Sequence, residues 1–118
     1  MNWTPGVWLQ LISFPLALTA GQILFKRAAN RVDLTGAWLL ELARIPAMWA
    51  AIALYAGATL LWVRILATVP LSRAYPFAAL AFVLVPAAGY FLFDEPVNAR
   101  YVLGAALIIG GVIVAAGS

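Results

Sequence analysis

The chain has 118 residues, 66% of them hydrophobic and 9% charged, with a mean hydropathy of +1.03 and a formal net charge of +3. So little polar surface cannot cover a soluble core, and the absence of Cys and His excludes disulfides, a Ser-His-Asp triad, a Cys-His pair and metal sites built on either residue. The basic residues stand at the ends of apolar runs and form no patch interleaved with aromatics, so the positive excess reads as membrane topology rather than nucleic-acid binding.

Four apolar runs of about 20 residues each, the length that crosses a bilayer, use most of the chain. Backbone groups in lipid must be satisfied within the segment, which favours helices, and long unbroken runs argue against a β-barrel. The expected fold is therefore an all-α membrane protein, one four-helix transmembrane domain over residues 1–118. Its spans lie roughly at 5–25, 47–69, 74–93 and 101–116.

Span one opens with Pro5 as a first-turn proline, with Trp3 and Trp8 suited to the membrane interface. No Lys or Arg precedes it and Lys26-Arg27 follow it, an order that suits a retained first helix with its N-terminus outside. Pro15, Thr19, Gln22 and Lys26 fall on one face, a polar ladder that ends in a cation. Ala17 and Gly21 form a small pair on another face, suited to close helix contact.

The first loop is expected to hold Lys26, Arg27, Asn30, Arg31 and Asp33, followed by a short amphipathic interfacial helix over 36–45. Pro46 opens span two. There Ala50, Ala53, Gly57 and Arg64 lie near one face, and small residues usually mark the side that meets another helix, so Arg64 is expected to point into the bundle.

The connection Pro70-Leu71-Ser72-Arg73 is short enough to make spans two and three an antiparallel hairpin. In span three, Tyr75, Ala79, Phe82 and Pro86 share a face. Pro86 should free the carbonyl one turn earlier and kink the helix there. Asp94-Glu95-Pro96 is expected to cap span four, where Gly104, Ile108, Gly111 and Ala115 line a groove for another helix. Loop charges place both termini outside the cytoplasm.

Ala74-Tyr75-Pro76, then Asp94-Glu95-Pro96-Val97, then the run from Gly104 to Val112 resemble the drug/metabolite transporter superfamily. Ala20-Gly21-Gln22 with Lys26, and Val69-Pro70 before span three, are similar to the four-helix subunits of the bacterial aminoarabinose-phosphoundecaprenol flippase. That resemblance covers nearly the whole chain. It implies a multi-pass protein of the bacterial inner membrane, working as a homodimer or with a homologous four-helix partner. It also implies a substrate in which a sugar is linked through phosphate to a polyprenol, moved from the cytoplasmic to the periplasmic leaflet.

The related small multidrug resistance proteins share the four-helix plan but carry a membrane-embedded glutamate in helix one. The matching position here is near Leu18, and no acid lies within the four expected spans. An exporter of amphipathic molecules is thus the weaker alternative. A non-transport partner of a glycosyltransferase is another, and an enzyme lacks any nucleophile–base pair or metal set. No cofactor is expected.

An anionic head group crossing hydrocarbon needs a path lined with polar groups and cations, because an unpaired charge there costs several kcal/mol or more. Lys26, Arg64 and Arg73 are the candidate lipid-phosphate contacts, Arg through its planar donor fork. Thr19, Gln22 and Tyr75 are the candidate path, and Gly104, Ile108 and Gly111 the candidate packing or dimer surface. Bland roles compete at each position. Lys26 and Arg73 equally suit snorkelling anchors, Gln22 an interhelical hydrogen bond, and Tyr75 simple packing.

Overall fold

The computed structural model describes residues 3–117, so the two ends of the expected 1–118 unit lie outside it. Six helices follow in order: α1 (Pro5–Ala29), α2 (Trp38–Ala43), α3 (Pro46–Thr68), α4 (Leu71–Ala78), α5 (Ala81–Phe93) and α6 (Ala99–Ala116), with no strand among the described residues. Four segments are long and apolar enough to cross a membrane: Pro5–Ala29, Pro46–Thr68, Leu71–Phe93 and Ala99–Ala116. The protein is an all-α, four-span membrane protein.

Local chemistry accounts for the helix ends. Thr4 caps α1, its hydroxyl accepting from Val7 N–H at 3.3 Å, and Pro5 fills the first turn, where a missing N–H costs nothing. α1 runs past the expected end at residue 25, so Lys26 and Arg27 belong to its last turn rather than to a loop, where they complement the helix dipole. In the loop that follows, the Asp33 carboxylate accepts from the Thr35 hydroxyl at 2.6 Å and the Thr35 N–H at 3.0 Å. Those bonds, the hydroxyl's first, hold the carboxyl below its usual value. Asp33 N–H donates in turn to Glu41 of α2 at 2.8 Å, pinning the short helix to the loop. Pro46 opens α3 as its first-turn proline.

The core forms where α1, α3 and the start of α4 meet. Leu11 and Phe14 pack with Ala58, Ile65, Val69 and Ala74, and Phe14 stacks on Trp62 at 4.7 Å between centroids. Trp3, Trp8 and Phe77 close this end of the bundle with edge-on contacts of 5.2 to 5.9 Å. Along α3 the buried stripe is Ala51, Ala58 and Ile65. The face expected to turn inward, Ala50, Ala53, Gly57 and Arg64, is exposed in the chain instead. One residue is about 100° around a helix, so Ile65 faces the core and its neighbour Arg64 does not.

The third span is broken rather than kinked at Pro86. The break lies at Ala79–Leu80, between Pro76 and Pro86, where Leu80, Phe82 and Val83 N–H groups each reach back only three residues. It divides the expected face, leaving Tyr75 on α4 and Phe82 and Pro86 on α5.

Helix α6 is capped by Asn98, whose side chain accepts from Tyr101 N–H at 2.8 Å, not by Asp94 or Glu95. Asp94 instead ends α5 in the left-handed conformation (φ 52°, ψ 32°), which a short polar side chain tolerates. No residue of α6 is buried against the other helices.

Gly21 of α1 is buried under the Tyr55 ring of α3, and a Cβ there would overlap the ring, whereas nothing lies within 4 Å of one at Gly57. Gly21→Ala should therefore destabilise the helix bundle by about 1–3 kcal/mol through overpacking. Gly57→Ala should be neutral or stabilising by about 0.5–1 kcal/mol. Reversible unfolding of both variants in detergent measures the difference.

Candidate functional site

Close packing at Gly21 brings the Tyr55 hydroxyl to α1, where the Gln22 side-chain amide donates to it at 2.5 Å. Tyr55 is held from the other side by the tilted Phe25 ring, 5.2 Å away. Gln22 and Tyr55 then line a groove of about 290 Å³ with Leu18, Phe82, Pro86 and Tyr101. Its walls are mainly apolar, with polar groups at a few points, as binding grooves usually are.

Tyr101 reaches this groove because Pro86 has no N–H. A regular helix would donate from residue 86 to the Phe82 carbonyl, and here that carbonyl accepts from the Tyr101 hydroxyl at 3.5 Å. The freed carbonyl expected from the sequence is thus one point at which α6 meets α5.

A second hollow of about 160 Å³ continues along α1 and α5, sharing Gln22 and Val85 with the first. Lys26 and Glu95 stand at its mouth, the ammonium 3.7 Å from a carboxylate oxygen, with side chains 46% and 48% exposed. Gln22 and Lys26 therefore both line this hollow, one turn apart on α1.

The other candidate residues lie elsewhere. Thr19 does not line either hollow, and its hydroxyl donates to the Pro15 carbonyl of its own helix at 2.8 Å. Arg64 is exposed on α3, about 13 Å along the axis from Tyr55, and borders neither hollow. Arg73 is half-buried in the first turn of α4. Tyr75 is 64% exposed and meets the edge of Trp62 at 6.1 Å, away from the path. Gly104 and Ile108 line an open groove of about 510 Å³ with Phe82, and a Cβ at Gly104 or Gly111 would meet nothing within 4 Å.

Two participants escaped the sequence reading. Tyr55 lies in span two between Leu54 and Ala56, with Thr59 as the polar residue one turn on. Glu95 reads in sequence as part of a helix cap, because acids favour helix starts. Only the packing at Gly21 and the turn at Asp94 bring them to the path.

Four apolar helices around a mainly apolar path with an ion pair at its mouth define a small multi-pass membrane protein of the transporter class. Comparison with known proteins is more specific. The "Probable 4-amino-4-deoxy-L-arabinose-phosphoundecaprenol flippase subunit ArnE" of Pseudomonas savastanoi pv. phaseolicola is 37% identical over 105 residues, 89% of this chain and 92% of the relative. The protein of the same description from Escherichia coli (strain 55989 / EAEC) is 36% identical over 110 residues, 92% of this chain and 95% of the relative. That of Pseudomonas aeruginosa (strain UCBPP-PA14) is 37% identical over 105 residues, 87% and 90% of the two chains. No family model and no solved structure matches. The chain belongs to the ArnE family of flippase subunits.

The Gln22–Tyr55 bond should contribute modestly to stability, about 0.6 kcal/mol being typical of interhelical hydrogen bonds in membranes. A double-mutant cycle of Gln22→Leu and Tyr55→Phe, read by unfolding in detergent, should give a coupling of that size.

Proposed function

We propose that this chain is a flippase subunit of the bacterial inner membrane that moves a polyprenyl-phosphate-linked aminoarabinose from the cytoplasmic to the periplasmic leaflet. The observation that carries the reading is the hollow lined by both Gln22 and Lys26, adjoining the apolar groove at Gln22, in a chain whose relatives are named for that lipid. Its mainly apolar walls suit an isoprenoid chain. Lys26 supplies the cation that a phosphate needs on leaving water, and Gln22 supplies a hydrogen-bonding group further in.

The distribution of charge supports a direction of transfer. All four acidic side chains, Asp33, Glu41, Asp94 and Glu95, lie at the Lys26 end of the bundle, together with five of the seven bases. That end is the cytoplasmic one by the excess of Lys and Arg. Arg64 and Arg73 lie at the opposite end, where the chain has no acidic side chain to neutralise them, and so form a receiving layer for an anionic head. Because Arg64 does not border the path, its role requires a second four-helix subunit that extends the path across the exposed face of α3. The relatives' description as subunits agrees with such a partner.

The test is native mass spectrometry of the purified protein with undecaprenyl phosphate, beside leaflet translocation in vesicles holding the full flippase. Lys26→Gln should lower lipid binding at least about tenfold, the loss of one charge-assisted contact. Arg64→Gln should spare binding by the isolated chain but abolish translocation. Unaltered binding in the Lys26 variant would remove the phosphate role, and unaltered translocation in the Arg64 variant would remove the receiving layer.

A further inference from the structure

Moving a phosphate-linked lipid calls for cations and polar groups, and it gives no task to the carboxylate at the mouth of the path. Yet that carboxylate is held there by a built turn. Asp94 adopts its left-handed conformation, and the N–H groups of Asp94 and Glu95 both return to the Gly89 carbonyl, the second at 3.2 Å. The turn folds the Glu95 side chain back over α5 against Gly89. A Cβ at position 89 would collide with the Glu95 carboxylate. From this seat the carboxylate reaches Lys26 at 3.7 Å, beside Gln22 and Phe93.

The pair is loose. Both side chains are about half exposed (46% and 48%), and exposed ion pairs are worth little, so each partner can exchange the other for a ligand at small cost. The lipid named in the relatives' descriptions carries opposite charges as well. Its phosphodiester is anionic, and the 4-amino group of the sugar is a primary amine, protonated near neutral pH. The two groups lie at opposite ends of one sugar ring.

We infer that Glu95 is the residue that selects for the amino sugar: its carboxylate takes the sugar ammonium while Lys26 takes the phosphate, the ion pair swapping partners with a head group of complementary charge. The inference rests on the flippase reading above and assigns the specificity of that same path. It also accounts for rejection. A phosphate lipid without the amine would bring its anion to Lys26 while Glu95, unpartnered, stood close by as a like charge, which disfavours the wrong cargo.

The experiment compares two lipids on the purified full chain by native mass spectrometry, 4-amino-4-deoxy-arabinose-phosphoundecaprenol and its N-acetylated form, which keeps the phosphate and loses the positive charge. The unaltered protein should prefer the amine form by about tenfold or more, the scale of one charged hydrogen bond. Glu95→Gln should bring the ratio close to one, by weakening binding of the amine form and improving that of the acetylated lipid, and Glu95→Asp should keep part of the preference. Retention of the full preference in Glu95→Gln would overturn the assignment. So would an equal loss for both lipids, which would make Glu95 only a support for Lys26. If the unaltered protein binds both lipids alike, the flippase reading stands and this inference falls. If it binds neither, the flippase reading itself fails.

Discussion

The close approach of α1 to α3 is the contact on which the rest depends. Inside a bilayer the lipid tails are as apolar as any side chain, so helices associate through packing and hydrogen bonds rather than by escaping water. Gly21 lets the Tyr55 ring lie directly on α1, and Ala51 and Ala58 are 0% and 2% exposed on the facing stripe of α3. Each later feature follows from that approach. The Tyr55 hydroxyl reaches Gln22, Gln22 lines both hollows, and Lys26 stands one turn further at the mouth.

Polar groups that lipid cannot solvate are settled within the chain. Pro86 releases the Phe82 carbonyl and the Tyr101 hydroxyl answers it, while Thr19 and Thr59 donate back to carbonyls of their own helices. Among the described residues no buried side-chain nitrogen or oxygen lacks a partner. Thr19 is thereby committed to its own backbone, and Gln22, the Tyr55 and Tyr101 hydroxyls and the ion pair are polar features of a mainly apolar path. Such a path fits a molecule that is mostly hydrocarbon with charge at one end.

Membership of the ArnE family and the uneven charge of the two ends point the same way. The acids gather where the chain already holds most of its bases, so that end can form exchangeable pairs such as Lys26–Glu95. The far end has only Arg64 and Arg73. Helix α6 and the small-residue face of α3 stay uncovered in the single chain.

Run length and hydropathy were enough, read from the sequence alone, to give four membrane-crossing helices, the short helix after the first, and the proline-freed carbonyl of span three, because each is a property of neighbours along the chain. The shared face of Gln22 and Lys26 was legible for the same reason, both being on one helix. Which side of α3 turns inward was not, since a step of one residue swings a side chain about 100° and only the neighbouring helix chooses between Arg64 and Ile65. Nor was the meeting of Glu95 with Lys26. Those two lie on different helices and come together only through a left-handed turn at Asp94 and a missing side chain at Gly89, a juxtaposition that tertiary structure alone creates.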